Sequence, residues 1–527
     1  MPLFSIITPV YEPPRDAFEQ CVRSVLDQSS SDWEWCLAND ASPSPWVAAR
    51  LRELQRGDER IRVVDRPVNG GIVAASNDAI ALARGDFLVL LDNDDELRRD
   101  ALELVARTIE ETPDVDYVYS DEDKIGPDGR HFDAFAKPDW SPERLLAQNY
   151  TSHLSVLRRT LVDNVGRFRH GFDGSQDYDL VLRVTEQARR IVHVREVLYH
   201  WRSLPTSTAS SASAKPYAFQ AALRAVGDHL QRRGVDARVD EVVSSVARVR
   251  RTTLREPDVT IIVPIDERRR TIFGAETHLA TNSLRSLSQR TSYGNYRVVL
   301  VAPGTLDGGF VDSLVDRFDR PVTVVRVDGD FHRTSAFNAG LVACESRRAV
   351  LFDEGNEIID PDWLGTLLAY EDRDRLAMVA PIILDAHGAI VSAGLAMAPK
   401  PHHIGAGCRH DDPGPLGMFA IAHECIGVST HCALVDVAVV KAVGGLSQRF
   451  RSRWHDFDLA NKLQAYGFHS IVTPLARVRW HGDGDDPADE RASFQHRWRW
   501  WTLGDPYSRL DTRSDRASFI PRRDAVI

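Results

Sequence analysis

The chain has 527 residues, too many for one ordinary hydrophobic core, so two or three domains are expected. Apolar residues make up 43% and charged residues 27%, as in a typical globular protein, and the net charge of −11 argues against a general nucleic-acid binder. No apolar run approaches the ~20 residues that a membrane-spanning helix needs, and the first residues show no signal-peptide pattern. We therefore expect a cytoplasmic protein without a nucleic-acid partner.

The N-terminal part alternates between strand and helix patterns. Strands are predicted at Phe4–Val10, Trp33–Asn39, Ile61–Asp65, Phe87–Asp92 and Val115–Ser120. Helices are predicted between and after them, at Ala17–Asp27, Trp46–Gln55, Ile72–Ala83 and Asp100–Thr112. Such alternation is typical of βαβ units, and it predicts an α/β fold with a mainly parallel sheet covered on both faces.

Carboxylates follow two of these strands. Asp92, Asp94 and Asp95 come directly after a buried apolar run, and Asp121 opens a second acidic cluster after the next strand. The ligand crevice of an open α/β sheet lies beyond the carboxyl ends of its strands. Because Mg²⁺ and Mn²⁺ prefer carboxylate oxygens, the first cluster predicts a site for a metal and a diphosphate. A solvated acidic turn or helix caps are the alternative.

Cysteine and histidine usage gives a weaker signal. The six cysteines form no Cys-x-x-Cys pair, so reduced thiols are expected. Residues 402–432 are rich in histidine and cysteine, but their spacing matches no familiar zinc finger or ribbon. Ordinary loop and core roles are favoured over a structural zinc site.

An internal repeat organises the chain. A small, polar segment begins at Leu204, a helix is predicted from Tyr217 to Arg233, and a new strand-rich region opens at Val259. Matching blocks keep their order in the two halves: Ser5–Val10 with Thr260–Ile265, Asn77–Glu96 with Asn338–Glu357, Gln176–Leu180 with His455–Leu459, and His200-Trp201 with Trp480-His481. We predict an α/β domain at 1–205, a linker with a helix at 206–256, a second copy at 257–485, and an Arg/Trp-rich helix and tail at 486–527.

These motifs resemble family 2 glycosyltransferases of the GT-A fold, in tandem duplicate. The resemblance rests on an ordered set of segments in the first half: Ile7–Glu12, Asn39–Ser42, Asn69–Gly71, Leu91–Asp95, Tyr119–Asp123, Lys137–Pro142, Gly174–Leu180 and His200–Arg202. It implies two GT-A domains with mainly parallel central sheets, the second diverged. It also implies inverting transfer of a sugar from a nucleotide-diphospho-sugar to a hydroxyl acceptor, with Mn²⁺ or Mg²⁺ as cofactor.

The resemblance implies a role for each motif residue. Asp177 would be the general base, although the family usually has Glu-Asp where this chain has Gln176-Asp177. Asp92 and Asp94 would bind the metal, and Asp40 would accept a hydrogen bond from the nucleobase. His200 and Arg202 would lie on a loop that closes over the diphosphate. The other donor-binding residues would be Thr8, Pro9, Tyr11, Glu12, Asn69, Gly71, Asn93 and Asp121, with Asp92 also reaching the donor.

Family habit suggests the partners. The donor would be linked to UDP, dTDP or GDP, and the acceptor would be a polysaccharide, a glycolipid or other lipid-linked glycan, or a protein. The segment Arg491–Trp501 mixes arginine and tryptophan, which would suit a peripheral contact with the inner face of the plasma membrane. Packing of these tryptophans on the second domain is the favoured alternative.

The second copy gives mixed signals. Gly355 stands where the first copy has Asp94, so the same metal site cannot form there. Asp353, Asp456 and His481 persist at matching positions. We expect a second domain that positions the acceptor or stabilises the first without turnover of its own. Two alternatives stay open: a bifunctional transferase, and a non-catalytic nucleotide-sugar or glycan-binding scaffold.

Overall fold

The computed structural model describes residues 1–203, 216–243, 246–253, 256–371, 373–397, 400–484, 486–499 and 505–508. It contains two large mixed sheets, one in each half of the chain, with helices on their faces.

The first sheet is built from residues 1–203. Its strands are β1 (Phe4–Val10), β2 (Trp33–Asn39), β3 (Ile61–Asp65), β4 (Phe87–Leu90), β5 (Glu96–Leu97), β6 (Tyr117–Ile125), β7 (His131–Phe135), β8 (Ser155–Arg158) and β9 (Ile191–Arg202). Its helices are α1 (Arg15–Leu26), α2 (Pro45–Gly57), α3 (Gly71–Leu82), α4 (Ala101–Glu111), α5 (Pro142–Ala147), α6 (Arg159–Asn164) and α7 (Gln176–Thr185). The strand order is β3-β2-β1-β4-β8-β6-β9-β5, with β7 beside β6.

The connecting segment is more than a linker. Its elements are α8 (Pro216–Arg232), β10 (Ala237–Val243) and β11 (Val246–Arg251), the two strands forming a hairpin. In α8, Ala225, Val226 and Leu230 are buried in the same apolar cluster as Tyr178 and Leu180 of α7. This segment therefore extends the core of the first half.

The second sheet is built from the C-terminal half. The strands of this half are β12 (Val259–Pro264), β13 (Arg269–Ile272), β14 (Ala275–His278), β15 (Tyr296–Pro303), β16 (Val322–Val327), β17 (Arg348–Phe352), β18 (Asn356–Ile358), β19 (Leu376–Leu384), β20 (Ile390–Ser392), β21 (Leu395–Ala396), β22 (His402–His403), β23 (His423–Cys425), β24 (Cys432–Asp436) and β25 (His469–Trp480). The helices are α9 (Leu279–Arg290), α10 (Gly308–Val315), α11 (Arg333–Ala343), α12 (Trp363–Leu368), α13 (Val437–Ala442), α14 (Trp454–Ala465) and α15 (Ala488–Arg497).

The two sheets share one topology. The second runs β16-β15-β12-β17-β24-β19-β25-β18, which matches the first sheet position by position. The parallel and antiparallel pairings also agree, because β1 and β12 each lie between two parallel neighbours, and β4 and β17 each pair antiparallel with the next strand. This agreement supports the predicted duplication. The exact domain boundaries stay a prediction.

Packing follows the sequence patterns. In β1, Phe4 and Ile6 enter one apolar cluster and Ile7 enters the other, as expected for a strand buried on both faces. In α1, the buried residues recur at helical spacing: Ala17, Phe18, Cys21, Val22 and Val25.

Most predicted elements agree with the structure to within about two residues, but β6 differs. The sequence predicts its end at Ser120, whereas the strand continues to Ile125 and contains the second acidic cluster. The neighbouring strand β9 supplies side-chain partners: His193 contacts Asp121 at 2.8 Å, and His200 contacts Asp123 at 2.6 Å. Carboxylates can therefore lie within the sheet, which a single-strand pattern does not reveal.

The two halves meet through buried polar groups. Glu424 of β23 accepts hydrogen bonds from the Ser141 hydroxyl and, at 3.0 Å, from the Glu143 backbone N–H. The Glu143 carboxylate pairs at 2.9 Å with Arg251 and with Arg373.

The C-terminal helix α15 packs on the second half. Its buried Phe494 contacts Phe450 and Trp454, and the Trp498 Nε1 donates a 2.9 Å hydrogen bond to Asp458. The described part of the Arg/Trp-rich segment thus follows the favoured packing alternative. Among the described residues, no helix combines the length and apolar character that crossing a bilayer demands.

Candidate active site

A cavity of about 720 Å³ opens at the carboxyl ends of β1 and β4. Pro9 and Asp92 line it from these strand ends, and Asp177 lines it from the first turn of α7. Leu416 reaches it from the C-terminal half. The cavity therefore joins residues that are far apart in the sequence and includes both halves of the chain.

The three carboxylates of the acidic turn after β4 differ in burial and in their contacts. Asp92 is exposed, whereas Asp95 is buried and accepts hydrogen bonds from the Tyr199 hydroxyl at 2.6 Å and the Arg202 backbone N–H at 2.7 Å. Burial and the adjacent Asp94 hold the pKa of Asp95 well above its usual range. Burial and the charge of Asp92 raise the pKa of Asp94 to about 6. A cation near this turn would be stabilised by the carboxylates that now repel one another.

The residues that come together as candidate metal ligands differ from the predicted pair. Ligand atoms of Asp92, Asp95 and His153 all lie within 4.8 Å of one another, and Asp94 is not in this group. Carboxylate oxygens suit Mg²⁺ and Mn²⁺, and the imidazole adds a donor that transition metals accept. The donor set fits a divalent ion. Sequence spacing could not find His153, because β8 brings it beside β4 from a distant part of the chain.

A buried ion pair between Lys137 and Glu122 lies beside His153. The Lys137 Nζ is fully buried and donates to Glu122 at 2.9 Å, and Glu122 in turn contacts the His153 ring at 3.3 Å. Although burial raises the pKa of Glu122, Lys137 and His153 outweigh it and bring that pKa to about 2. Burial lowers the pKa of His153, but Glu122, Asp95 and Asp92 outweigh it and raise that pKa to about 9.

Asp177 has the surroundings of a base. Its Oδ2 accepts a 2.9 Å hydrogen bond from the Asn149 Nδ2, and burial raises its pKa while the His153 charge opposes that rise. Gln176, which replaces the usual glutamate, also lines the cavity and accepts a 2.8 Å bond from the Gly174 backbone N–H. Asp179 is buried and pairs with Arg183 at 2.7 Å, so its role is structural.

Asp40 organises the loop before α3. Its two carboxylate oxygens accept the backbone N–H groups of Gly70 and Gly71, both at 2.8 Å, and Arg66 pairs with it at 3.0 Å. The Asn69 Nδ2 donates to its carbonyl at 3.2 Å. Gly71 has a φ of +79°, which favours glycine at this position. Asp40 thus stabilises the conformation of the loop that contains the predicted donor-binding residues Asn69 and Gly71.

The turn after β1 is only partly in the cavity. Thr8 is fully buried and its hydroxyl accepts a 3.0 Å bond from the Trp35 Nε1, so its side chain belongs to the core rather than to a donor site. Pro9 lines the cavity, and its carbonyl accepts a 2.9 Å bond from the Asn93 Nδ2.

Tyr11 and Glu12 follow on the surface. Tyr11 is half-exposed, and the Glu12 carboxylate accepts bonds from the Ser44 hydroxyl at 2.6 Å and its backbone N–H at 2.9 Å. These contacts connect the ends of β1 and β2.

Three predicted donor-binding residues have other positions. Asp121 is buried within β6, where it accepts the Lys137 backbone N–H at 2.8 Å and contacts His193. His200 and Arg202 lie on strand β9 rather than on a loop. The prediction of a closing loop is therefore wrong for these two residues, because β9 pairs along β6 as far as Arg202.

Their contacts are nevertheless close to the acidic turn. Arg202 donates to the Asp94 carbonyl at 2.7 Å and pairs with Glu96. His200 forms a second group of potential metal ligands with Asp123 and His131.

The second half has a smaller cavity of about 290 Å³ at the matching sheet edge. Asp353 lines it and pairs with Arg333 at 2.7 Å. Asp456 is buried and accepts bonds from the Thr430 hydroxyl at 2.6 Å and backbone N–H at 3.0 Å. His481 contacts Glu357 at 2.9 Å instead of Asp353.

Metal-binding groups in the second half were also considered. Over the described ranges, the groups that could hold a metal are the two of the first half, and none falls in residues 402–432.

Five residues of the site had no role in the sequence prediction. Glu122 and Lys137 lie inside recognised motifs, so a charge-pair search within those motifs could have found them. Asn149, His153 and Leu416 carry no sequence signal, because only the tertiary structure brings them to the cavity.

Comparison with known proteins identifies a family match in the N-terminal part and relatives along most of the chain. The sequence model of "Glycosyl transferase family 2" matches residues 5–166, and this part of the chain is a family 2 glycosyltransferase domain. The uncharacterized protein y4gI of Sinorhizobium fredii is 33% identical over 98% of this chain and 58% of its own length. The O-antigen biosynthesis protein RfbC of Myxococcus xanthus is 30% identical over 93% of this chain and 38% of its own length.

The chain spans less than two thirds of either relative, and the similarity runs through both of its halves. Among solved structures, S. aureus TarS 1-349 is 19% identical, covering 44% of this chain and 65% of that one with a TM-score of 0.36.

Proposed function

We propose that the chain is a metal-dependent, inverting glycosyltransferase that moves a sugar from a nucleotide-diphospho-sugar to a hydroxyl acceptor. The observation that carries this proposal is that Asp92 and Asp177 line one cavity. Asp92 belongs to the acidic turn after β4, and Asp177 lies in the first turn of α7. The candidate metal site and the proposed base therefore face the same cavity.

Asp177 is the general base. Its carboxylate takes the proton of the acceptor hydroxyl as that oxygen attacks the anomeric carbon from the side opposite the leaving diphosphate. Such proton transfer typically contributes ~10²–10⁴ in rate. Its raised pKa favours this role, because a more basic carboxylate accepts a proton more readily. Asn149 fixes the carboxylate orientation.

Asp92, Asp95 and His153 are the residues that would hold Mn²⁺ or Mg²⁺, and Asp94 of the same turn adds a neighbouring negative charge that favours the ion. When bound, the ion neutralises negative charge on the diphosphate leaving group. The loop that Asp40 organises, with Asn69 and Gly71, receives the nucleotide. A UDP-, dTDP- or GDP-linked donor is compatible with this arrangement.

The acceptor belongs to a cell-surface polysaccharide, a glycolipid or a glycosylated protein. The name of the Myxococcus xanthus relative, an O-antigen biosynthesis protein, supports the first of these. The C-terminal half has no turnover of its own and completes the acceptor side of the cavity through Leu416. We retain domain boundaries near 205 and 257, with α8 and the β10–β11 hairpin packed on the first domain.

The decisive experiment measures binding and hydrolysis of a panel of nucleotide-sugars, with and without Mn²⁺ or Mg²⁺. Asp94→Ala should weaken metal-dependent donor binding, and Asp177→Asn should leave binding intact while lowering turnover. Asp114→Ala is the matched control, because Asp114 is an exposed carboxylate before the amino end of β6. Absence of metal-dependent binding for every donor would favour the scaffold alternative.

A further inference from the structure

The cavity of the second half carries its own cation where the first half has a candidate metal site. In the strand registers, Leu90 pairs with Ser155 and Leu351 pairs with Ala433. Counting two residues onward from Leu90 and Leu351 makes Asp353 the counterpart of Asp92. Counting two residues back from Ser155 and Ala433 makes His431 the counterpart of His153.

Arg333 bridges these two counterparts. Its Nε lies 2.7 Å from the Asp353 Oδ2, and its Nη1 lies 3.3 Å from the His431 Nε2. The residue of the first half that matches Arg333, at an offset of 261 residues, is Ile72. Ile72 lines the 720 Å³ cavity. A guanidinium therefore takes the place that a divalent ion would occupy in the first half.

Two further differences remove carboxylates that could attract or bind a metal ion. Gly355 replaces Asp94, Asn356 replaces Asp95, and the buried Asn356 uses its Nδ2 to donate to the His431 carbonyl. The lining has as many arginines as carboxylates, so its charge balance does not require an added cation. Within it, Arg268 pairs with Glu354 at 2.6 Å.

Two of the lining arginines, Arg333 and Arg268, are more exposed than the carboxylates Asp353 and Glu354 with which they pair. The Asp353 and Glu354 side chains are only 3% and 2% exposed, against 16% for Arg333 and 41% for Arg268. Arg451 and Arg453 add two guanidinium groups to the same lining. A ligand entering from solvent thus meets arginine N–H donors in front of the buried Asp353 and Glu354, beside the more exposed carboxylates Asp266 and Asp483 of the same lining.

We propose that this cavity binds a phosphate-bearing ligand without a divalent ion, through Arg333 and the arginines around it. Guanidinium groups match phosphate oxygens in charge and in hydrogen-bond geometry. The volume of about 290 Å³ is large enough for a diphosphate and is smaller than the catalytic cavity. This site goes beyond the proposed transferase reaction and does not depend on it.

The test is calorimetric titration of the full chain with inorganic pyrophosphate in EDTA. We expect one binding site, weakened about tenfold or more by Arg333→Met and by Arg451→Met, since each removes charge-assisted hydrogen bonds. Arg317→Met is the matched control, because Arg317 is an exposed arginine of the same half outside the cavity. Thermal melting of each variant verifies folding.

Arg451→Met keeps the test valid if loss of Arg333 unfolds the protein, because the Arg451 partner, Asp330, is 62% exposed. Asp94→Ala should retain pyrophosphate binding in EDTA, which separates this site from the N-terminal one. No binding in EDTA would overturn the proposal. Binding that only Asp94→Ala abolishes, or that Arg451→Met leaves unchanged in a folded protein, would also overturn it.

Discussion

Asn149 donates a 2.9 Å hydrogen bond to the Oδ2 of Asp177, and both residues line the catalytic cavity. Asn149 follows α5, whereas Asp177 begins α7. The bond therefore orients the carboxylate that we propose as the general base.

Removing this bond should slow transfer without disturbing donor binding. We expect Asn149→Ala to lower kcat about tenfold, because misorientation of a catalytic group is costly even when the group remains present. Steady-state kinetics with the donor identified by the panel would measure it. Asn164→Ala, at an exposed asparagine, is the control. A rise in donor KM with unchanged kcat would contradict the orienting role.

Asp40 should be essential to the loop before α3. Asp40→Asn places an N–H group against a backbone N–H of Gly70 or Gly71 and removes one of the two charge partners of Arg66. We expect a loss of about 2–3 kcal/mol in unfolding free energy, since the buried Asp40 side chain exchanges an acceptor for a donor. Urea denaturation measures it. Asp78→Asn, which affects a more exposed pair with Arg66, should cost at most ~1 kcal/mol.

Leu416 should limit water access to the catalytic cavity. It has a φ of +53° at the tip of the Pro415–Ala420 turn, is 38% exposed, and lies in the wall of a cavity built mainly by the other half. Leu416→Ala should raise donor hydrolysis by water about two- to fivefold, because the site excludes water less well. Leu416→Met is the conservative control. Equal hydrolysis in wild type, Leu416→Ala and Leu416→Asp would refute this.

The contact between the halves should weaken with rising pH. Burial and the neighbouring Glu143 raise the pKa of Glu424 from 4.5 to about 7. Between these values the unfolded chain releases a proton that the folded chain retains, so this group lowers stability as the pH rises from 4.5 to about 7. Above that range the loss is complete.

Glu424→Gln removes this titration while keeping the side-chain shape. We expect its melting temperature to exceed that of the wild type at pH 8, and the difference to vanish near pH 4.5, the unfolded pKa. Differential scanning calorimetry at several pH values would measure both curves. A constant difference across the range would show that Glu424 is not the responsible group.

Gly355→Asp should not restore a metal site in the second half. A Cβ at this position would lie 2.9 Å from the Asp353 Oδ1 and 3.0 Å from the Trp480 Nε1, and Arg333 already pairs with Asp353. We expect a lower melting temperature and no added Mn²⁺ binding by electron paramagnetic resonance. Gain of a second Mn²⁺ site would contradict this expectation.

Local sequence patterns determined the elements and the repeat. The predicted bounds of β1, β2 and β3 agree with the structure, because short apolar runs and the turn residues that bound them act within a few residues of chain. The acidic turn was predictable for the same reason, since Asp92 directly follows its strand. The matching blocks of the two halves likewise anticipated the shared strand order.

Tertiary structure decided which side chains meet. His153 joins Asp92 and Asp95 only because β8 lies antiparallel to β4, and Leu416 joins Asp177 only because the two halves pack together. The same long-range pairing places His200 and Arg202 in strand β9, where their motif alone suggested a loop. Hydrophobic periodicity specifies the face that each element buries, whereas the partners across a cavity depend on the packing of whole elements, which no short motif contains.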